Sequence, residues 1–144
     1  MRLAACALLA AAAVATPGAA EKFDWDALGA EFCARTTSGD LAGLRPLLTP
    51  ELIEDIEFAY GIAQTPVPVT VFQSYTNRVA NCEASTRNSA LIEIRRSGPA
   101  GAALAWTEYV VVVPQADGTT RIDDVLFATR RSDTLRARLR EIAN

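Results

Sequence analysis

The spacing of apolar residues gives the first half of the chain a helical period. Trp25, Leu28 and Phe32 repeat at intervals of three and four residues, which places them on one face of a helix. Asp24 precedes them as a candidate N-cap, and the helix is expected to end at Gly39 because glycine tolerates the left-handed conformation that closes many helices.

Two further helices are predicted before residue 64. Asp40 is a candidate N-cap for a short helix whose apolar positions are leucines: Leu41, Leu44, Leu47 and Leu48. The tripeptide Thr49-Pro50-Glu51 predicts the start of a longer helix, because it combines a capping hydroxyl, a proline at the first helical position and an acid in the first turn. The apolar face of that helix comprises Leu52, Ile53, Ile56, Ala59, Tyr60 and Ala63.

Beyond residue 63 the period changes from helical to alternating. Residues 64–70 (QTPVPVT) predict a loop, because prolines at alternate positions forbid a helix and weaken a strand. Strands are predicted at 88–96, 104–113 and 119–129, with turns at 97–103 and 114–118, and a final helix is expected at 133–142. Helices followed by consecutive antiparallel strands predict an α+β domain with the helices packed on one face of the sheet.

The first twenty residues have the composition of a secretory signal peptide. A cation precedes an apolar run, and Gly18 and Ala20 occupy the −3 and −1 positions of a cut before Glu21. The apolar run is shorter than the ~20 residues that a bilayer-spanning helix needs. We therefore expect a cleaved leader at 1–20 and a single periplasmic or secreted domain at 21–144, with no stable membrane anchor.

Charge and composition narrow the classes of function. Without the leader, thirteen basic residues stand against seventeen acidic residues, a net charge of about −4 that argues against nucleic-acid binding. The chain has no histidine, which excludes a Ser-His-Asp or Cys-His nucleophile, and neither a metal nor a cofactor is expected. Arginines near the C terminus are interpreted as the solvated side of the last helix: Arg130, Arg131, Arg136, Arg138 and Arg140.

The mature chain keeps two of the three cysteines, Cys33 and Cys82. An even count in an oxidising compartment favours a bridge over two buried free thiols. Closing a loop of roughly fifty residues would stabilise the fold by about 4 kcal/mol on the chain-entropy model. We predict a Cys33–Cys82 disulfide with the two Cα atoms within ~7 Å of each other.

The predicted return strand, TRIDDVLFATRR, contains adjacent aspartates, Asp123 and Asp124, which point to opposite faces of an unbroken strand. With a five-residue loop at 114–118, Glu108 lies opposite Asp124. At such a short distance the repulsion between two carboxylates would raise the pKa of one of them, as a general acid or base requires. A two-residue D-G turn would separate them. Alternatively, Asp124 caps a loop or pairs with a C-terminal arginine.

Two segments resemble NTF2-like (SnoaL-type) domains. Residues 32–52 (FCARTTSGDLAGLRPLLTPEL) are similar to the opening helix, Gly-Asp turn and Leu-rich segment of those domains, and residues 106–127 (WTEYVVVVPQADGTTRIDDVLF) are similar to their last hairpin. The resemblance implies a curved antiparallel sheet wrapped against helices into a cone with an apolar mouth. It implies no single reaction, because relatives include isomerases, dehydratases and small-ligand binders.

The leading hypothesis is an exported binding or accessory protein without catalytic activity, which takes a small apolar ligand or a periplasmic protein partner. Tyr60, Trp106 and Tyr109 are its candidate ligand-binding residues, although aromatic residues also suit a core. The competing hypothesis is a histidine-free isomerase or dehydratase with Glu108 or Asp124 as the base. A third is an inhibitor or immunity-type protein that acts through its surface. A homodimer is left open.

Overall fold

The structure, a computed structural model, describes residues 23–99 and 101–144, so the predicted leader at 1–20 lies outside the described residues. The described part forms α-helices α1 (Asp26–Ser38), α2 (Leu41–Leu44), α3 (Pro50–Ala63) and α4 (Leu135–Ala143), and strands β1 (Asn81–Thr86), β2 (Leu91–Gly98), β3 (Gly101–Pro114) and β4 (Thr120–Leu126). Two short 3₁₀ helices lie at Arg45–Leu47 and Val69–Phe72. The α+β class and the C-terminal helix are confirmed. None of the described helices is long and apolar enough to cross a membrane.

The four strands form one antiparallel sheet in the order β1-β2-β3-β4. Helix α1 lies against β1 and β2, while α3 and α4 pack together beside β4. The inward side chains of the strands meet the helices in a single buried cluster that includes Phe32, Leu52, Ile94, Val110 and Leu135. Burying each such large apolar side chain stabilises the fold by about 1.5–3 kcal/mol. Because apolar side chains alternate along the strands, only one face of the sheet gains this stabilisation, and that face packs against the helices.

The helix ends follow the predicted capping chemistry, with one shift. Thr49 Oγ1 accepts a hydrogen bond from Leu52 N at 3.2 Å and begins α3. Gly39 closes α1 with a φ of 74°, a value that favours glycine. The start of α1 was predicted too early, because Asp24 Oδ1 accepts from Asp26 N at 3.1 Å in a turn that precedes the helix.

The strands differ from the prediction in several places, and β4 ends at Leu126 where the prediction extended to 129. Strand β1 lies in the segment to which the pattern assigned no element. Strand β2 begins at Leu91 and not at Asn88, because the Asn88 side chain accepts a hydrogen bond from Ala90 N at 2.9 Å and forms a turn there. The predicted turn after β2 is correspondingly shorter, since β3 already begins at Gly101.

Over residues 109–111 the β3–β4 hairpin has the register that a two-residue Asp117-Gly118 turn gives, with Tyr109 opposite Leu126, and it shifts by one residue over 112–114. Val112 pairs with Ile122, whereas the next pair along the ladder is Val111 with Asp124, so Asp123 is the extra residue of a β-bulge. Val111, and not Glu108, therefore lies opposite Asp124, and the predicted Glu108–Asp124 carboxylate pair is wrong. The bulge shifts the alternation by one residue, so that Ile122 faces the core before it and Val125 and Phe127 face the core after it.

The predicted disulfide is confirmed. Cys33 of α1 and Cys82 of β1 are bridged, and their Cα atoms lie 5.5 Å apart. The bridge spans 49 residues of sequence and fastens the first helix to the outermost strand. A disulfide is compatible with a protein that works in an oxidising compartment.

Candidate functional site

Glu108 is the carboxylate that the structure buries most completely. It projects from the inward face of β3 and its side chain is 0% exposed. Its Oε1 accepts a hydrogen bond from Nε of Arg96, which is equally buried. Its Oε2 accepts from Ser74 N at 2.9 Å, from Ser74 Oγ at 2.6 Å and from Trp106 Nε1 at 3.2 Å. Both oxygens are therefore committed to the protein itself.

Arg96 is a site residue that the sequence reasoning missed. It has the same strand parity as Ile92 and Ile94, so the alternation in β2 already indicated that it faces the core. Its Nη1 donates to Thr36 Oγ1 at 3.1 Å, and its guanidinium carbon lies 5.6 Å from the centre of the Phe32 ring. Among the described residues, its Nη2 has no hydrogen-bond partner.

The buried pair fixes an irregular segment, residues 73–79, which we call the anchored loop. Ser74 joins it to Glu108, and Ser74 Oγ also accepts from Ala128 N at 2.9 Å. Arg138 of α4 donates to the carbonyl oxygens of Gln73 and Ser74 at 2.8 and 3.0 Å. Tyr75 packs edge-on against Trp106, with the ring centres 5.2 Å apart. Polar contacts from three elements thus order a segment that has no regular secondary structure.

Arg138 and Asp133 form a second ion pair beside the anchored loop, and this pair is only partly buried. Arg138 Nη2 and Asp133 Oδ2 lie 2.8 Å apart, and the guanidinium lies over the Phe127 ring at 3.6 Å. Hydrogen bonds from Arg138 and, second, from Thr129 hold the pKa of the Asp133 carboxyl below its ordinary value, although burial opposes them. The interpretation of Arg138 and Arg136 as solvated residues is therefore wrong: the side chain of Arg138 is 22% exposed and binds the loop, and that of Arg136 is 23% exposed and pairs with Asp123.

The two adjacent aspartates attach the helices to β4. Asp123 Oδ1 accepts from Thr49 Oγ1 and from Arg136 Nη2, both at 2.7 Å. Asp124 Oδ1 accepts from the backbone N–H of Val125 at 2.8 Å and of Arg136 at 3.0 Å, at the start of α4. A carboxylate at a helix N-terminus is favourable because it accepts an otherwise unpaired N–H. The predicted capping role is found at Asp124, although it caps a helix and not a loop, and the predicted pair with a C-terminal arginine is formed by Asp123 instead.

The three candidate ligand-binding aromatics do not meet in one cavity. Trp106 faces the core and is 8% exposed, whereas Tyr109 has the opposite parity on β3 and lies on the outer face of the sheet. Tyr60 lies half-buried on α3, where burial raises the pKa of its hydroxyl. A ligand that contacted all three would have to pass through the sheet.

The apolar concavity lies instead between the helices. A groove of about 270 Å³ opens between α2, the following 3₁₀ segment and α3. At its rim the exposed side chains of Arg45 and Glu57 form an ion pair at 2.5 Å. Apart from these two, its lining is entirely aliphatic or aromatic: Leu41, Ala42, Leu44, Leu48, Ile53, Ile56, Val67 and Phe72. The sequence pattern assigned most of these residues to the core and gave no signal that they border an open space.

Comparisons with known proteins leave the family undecided. The chain matches no protein-family model, and it matches no curated protein and no solved structure. The NTF2-like assignment therefore stays a prediction. Within residues 23–99 and 101–144, no group of three histidine, cysteine, aspartate or glutamate residues is placed to hold a metal ion.

Proposed function

We propose that the protein is an exported, non-catalytic binding protein that takes a small apolar ligand into the groove between α2 and α3. The observation that carries the proposal is the lining of this groove, in which apolar side chains surround an open space and a single ion pair lies at the rim. Small-molecule sites combine a mostly apolar wall with a few polar groups that fix orientation. At about 270 Å³ the groove suits a ligand at the small end of the usual range.

The ion pair at the rim of the groove indicates which polar group the ligand carries. Arg45 and Glu57 are more than half exposed, so their mutual attraction contributes little and either group is free to bond a ligand instead. The ligand class that fits is an aliphatic chain or ring with one terminal hydroxyl or carboxylate. The apolar part would cover Ile53 and Val67, and the polar end would stay at the rim.

A binding role is favoured over catalysis by the bonding of the candidate bases. Each oxygen of Glu108 already accepts at least one hydrogen bond, and the side chain has no exposed surface from which to reach a substrate. Asp124 Oδ1 accepts from two backbone N–H groups, one of them at the start of α4, and this carboxylate does not line the apolar groove. A general base needs a lone pair directed at the proton that it removes.

Export is supported by the disulfide and by the leader-like composition of residues 1–20. The periplasm or the extracellular space is the compartment in which a Cys33–Cys82 bridge persists. N-terminal sequencing of the protein after secretion from a bacterial host tests this part of the proposal. We expect the purified chain to begin at Glu21, and a chain that begins at Met1 would contradict it.

Ligand binding is tested by thermal denaturation of the purified protein with 1-octanol and octanoate as probes. We expect both probes to raise the Tm, because a ligand that binds only the folded state stabilises it. Ala42→Phe should abolish this increase, because Ala42 is an exposed position of α2 that lines the groove. Ala34→Phe, an exposed alanine of α1 outside the groove, is the matched control and should keep the increase. Absence of any Tm increase, or an unchanged increase in Ala42→Phe, would overturn the proposal.

A further inference from the structure

The two edge strands of the sheet differ in whether other segments cover their backbone. The edge formed by β4 is covered, because Thr49 N donates to Ile122 O at 2.8 Å and Thr134 forms a bridge with Leu126. The edge formed by β1 pairs with β2 on one side only. Natural proteins protect such an edge with charged side chains, especially lysine, with a proline, with a bulge, or with a covering helix or loop. The sequence of β1, NCEAST, contains no lysine, proline or bulge, and its one charged residue is Glu83.

The pairing pattern identifies the backbone groups that are free. Arg87 N donates to Leu91 O at 2.8 Å, so in this antiparallel ladder the odd-numbered residues exchange hydrogen bonds with β2. The even-numbered residues therefore direct their N–H and C=O groups outward. One of these outward groups, the N–H of Thr86, already donates to Asp26 Oδ1 at 2.7 Å. No loop, cap or side chain among the described residues bonds to the backbone groups of Cys82 and Ala84.

A groove runs along this free edge. Its second wall is the flank of α1, where the side chains are small: Ala30, Cys33, Ala34 and Thr37. The space between that flank and residues 80–84 is about 480 Å³, and Ala30, Ala34 and Thr37 are exposed. The disulfide sets the spacing of the two walls, because it joins α1 to β1 at the centre of the groove.

We propose that this groove binds an extended peptide of a partner protein, which adds to β1 as a fifth strand. Only an extended backbone offers donors and acceptors at the spacing of the free groups of Cys82 and Ala84. Alternate side chains of the peptide would then point towards the flank of α1, where the small residues leave room for valine-sized groups. The remaining side chains would lie on the outer face of the sheet.

Charge on the outer face indicates a basic peptide. Glu83 is exposed and forms no ion pair with any described residue. Arg95 lies opposite it on β2 but forms its ion pair with Glu93, at 3.4 Å. A lysine or arginine of the added strand beside Glu83 would form a favourable cross-strand pair. The same carboxylate disfavours a second copy of the chain, because pairing of two β1 edges would bring the two Glu83 residues close together.

The test uses two synthetic peptides, Ac-STVKVTS-NH2 and Ac-STVEVTS-NH2, titrated into the full protein and followed by NMR. We expect the lysine peptide to bind about fivefold more tightly than the glutamate peptide, as a cross-strand charge pair implies. Binding should also slow hydrogen exchange at the amides of Cys82 and Ala84. Glu83→Lys should reverse the preference between the two peptides, a result that a merely structural role of Glu83 would not produce.

Two further variants locate the site. Ala34→Phe fills the groove from the exposed flank of α1 and should weaken peptide binding, whereas Ala42→Phe, in the separate groove between α2 and α3, should leave it unchanged. Ala84→Pro removes one of the free donors and should abolish binding. Failure of both peptides to slow exchange at Cys82 and Ala84 would overturn the proposal, and so would unchanged binding in Ala34→Phe. A dimer in sedimentation that Ala84→Pro dissociates would also overturn it, because the edge would then belong to a second copy.

Discussion

At the scale of single residues, the buried pair of Arg96 and Glu108 has the largest energetic consequence. Two ions lose their hydration in the core, and their attraction offsets this loss only if further hydrogen bonds satisfy them. Ser74, Trp106 and Thr36 supply most of those bonds, and among the described residues only Arg96 Nη2 of this pair lacks one. Removal of one ion leaves the other buried and uncompensated, which is far more costly than loss of a pair at the surface.

Glu108→Gln is expected to lower the free energy of unfolding by about 3–5 kcal/mol, because it leaves the Arg96 guanidinium without its counter-ion in the core. Urea denaturation followed by tryptophan fluorescence measures the change. Glu57→Gln, which removes the exposed partner of Arg45, is the matched control and should cost no more than about 1 kcal/mol. A cost for Glu108→Gln as small as that of the control would contradict the structural role of the pair.

The lowered pKa of Asp133 predicts that the folded protein loses stability in acid. Because its pKa is lower in the folded protein than in the unfolded chain, its contribution to stability is present above the unfolded pKa of about 3.9 and is lost as the pH falls through the folded pKa. Asp133→Asn should therefore cost about 1–3 kcal/mol at pH 7, as for a lost hydrogen bond to a charged group.

The pH series provides the check on Asp133. Urea midpoints of the wild type and of Asp133→Asn should converge as the pH falls through the folded pKa of Asp133, whereas those of the wild type and of Glu54→Gln, a change on the exposed face of α3, should stay parallel. A difference between wild type and Asp133→Asn that is constant from pH 7 to strongly acidic pH would show that the ionised carboxylate is not what stabilises the fold.

For single residues, the sequence predicted which face of a strand they occupy but not which residues they contact. Strand alternation placed Glu108 on the inward face together with Trp106 and Val110, and the structure agrees. It could not identify the partner, because the partner depends on how β2 aligns with β3 and on where the anchored loop lies. The bulge at Asp123 was missed because the alternation was read as unbroken, whereas the core-facing residues change phase across it, from Ile122 to Val125 and Phe127.

At the scale of elements, Thr49 connects three of them. Its hydroxyl caps α3 by accepting from Leu52 N, and it donates to Asp123 of β4, which in turn binds Arg136 of α4. Local capping chemistry predicted the start of α3 correctly. The link to β4 was beyond the sequence, because Thr49 and Asp123 are 74 residues apart.

Thr49→Ala is expected to lower the free energy of unfolding by about 1–2 kcal/mol, because it removes the N-cap and one of the two hydrogen bonds to Asp123 Oδ1. Thr49→Ser keeps the hydroxyl and should recover most of the loss. Chemical denaturation of the two variants side by side measures the difference. Equal destabilisation by alanine and serine would mean that the methyl group, and not the hydroxyl, stabilises this junction.

The strands show which elements local pattern can predict. β3 is rich in valine and aromatic residues and was predicted over most of its length. β1 (NCEAST) has little β-propensity of its own and was missed. It is a strand because β2 pairs with it and because the disulfide holds it against α1. Tertiary contacts, and not residue preference, decide its conformation.

At the scale of the whole molecule, the charged groups hold the fold together and the open apolar surface lies among the helices. Ion pairs join β2 to β3 and α4 to β4, and the disulfide joins α1 to β1. The sequence predicted the fold class and the bridge. Two of its three candidate ligand-binding residues, Trp106 and Tyr109, lie on the sheet. The groove was not predicted, because a cavity between helices depends on how the helices pack, which their apolar faces alone do not determine.

The central claim is that a small apolar ligand binds in the groove between α2 and α3. Methyl NMR during titration with 1-octanol tests this claim most directly. We predict saturable shifts of the methyl groups of Leu44, Ile53, Ile56 and Val67, all suppressed by Ala42→Phe, with little change at Val110 under the sheet. Shifts centred on Val110 and its neighbours, or no saturable shift at any methyl group, would contradict it.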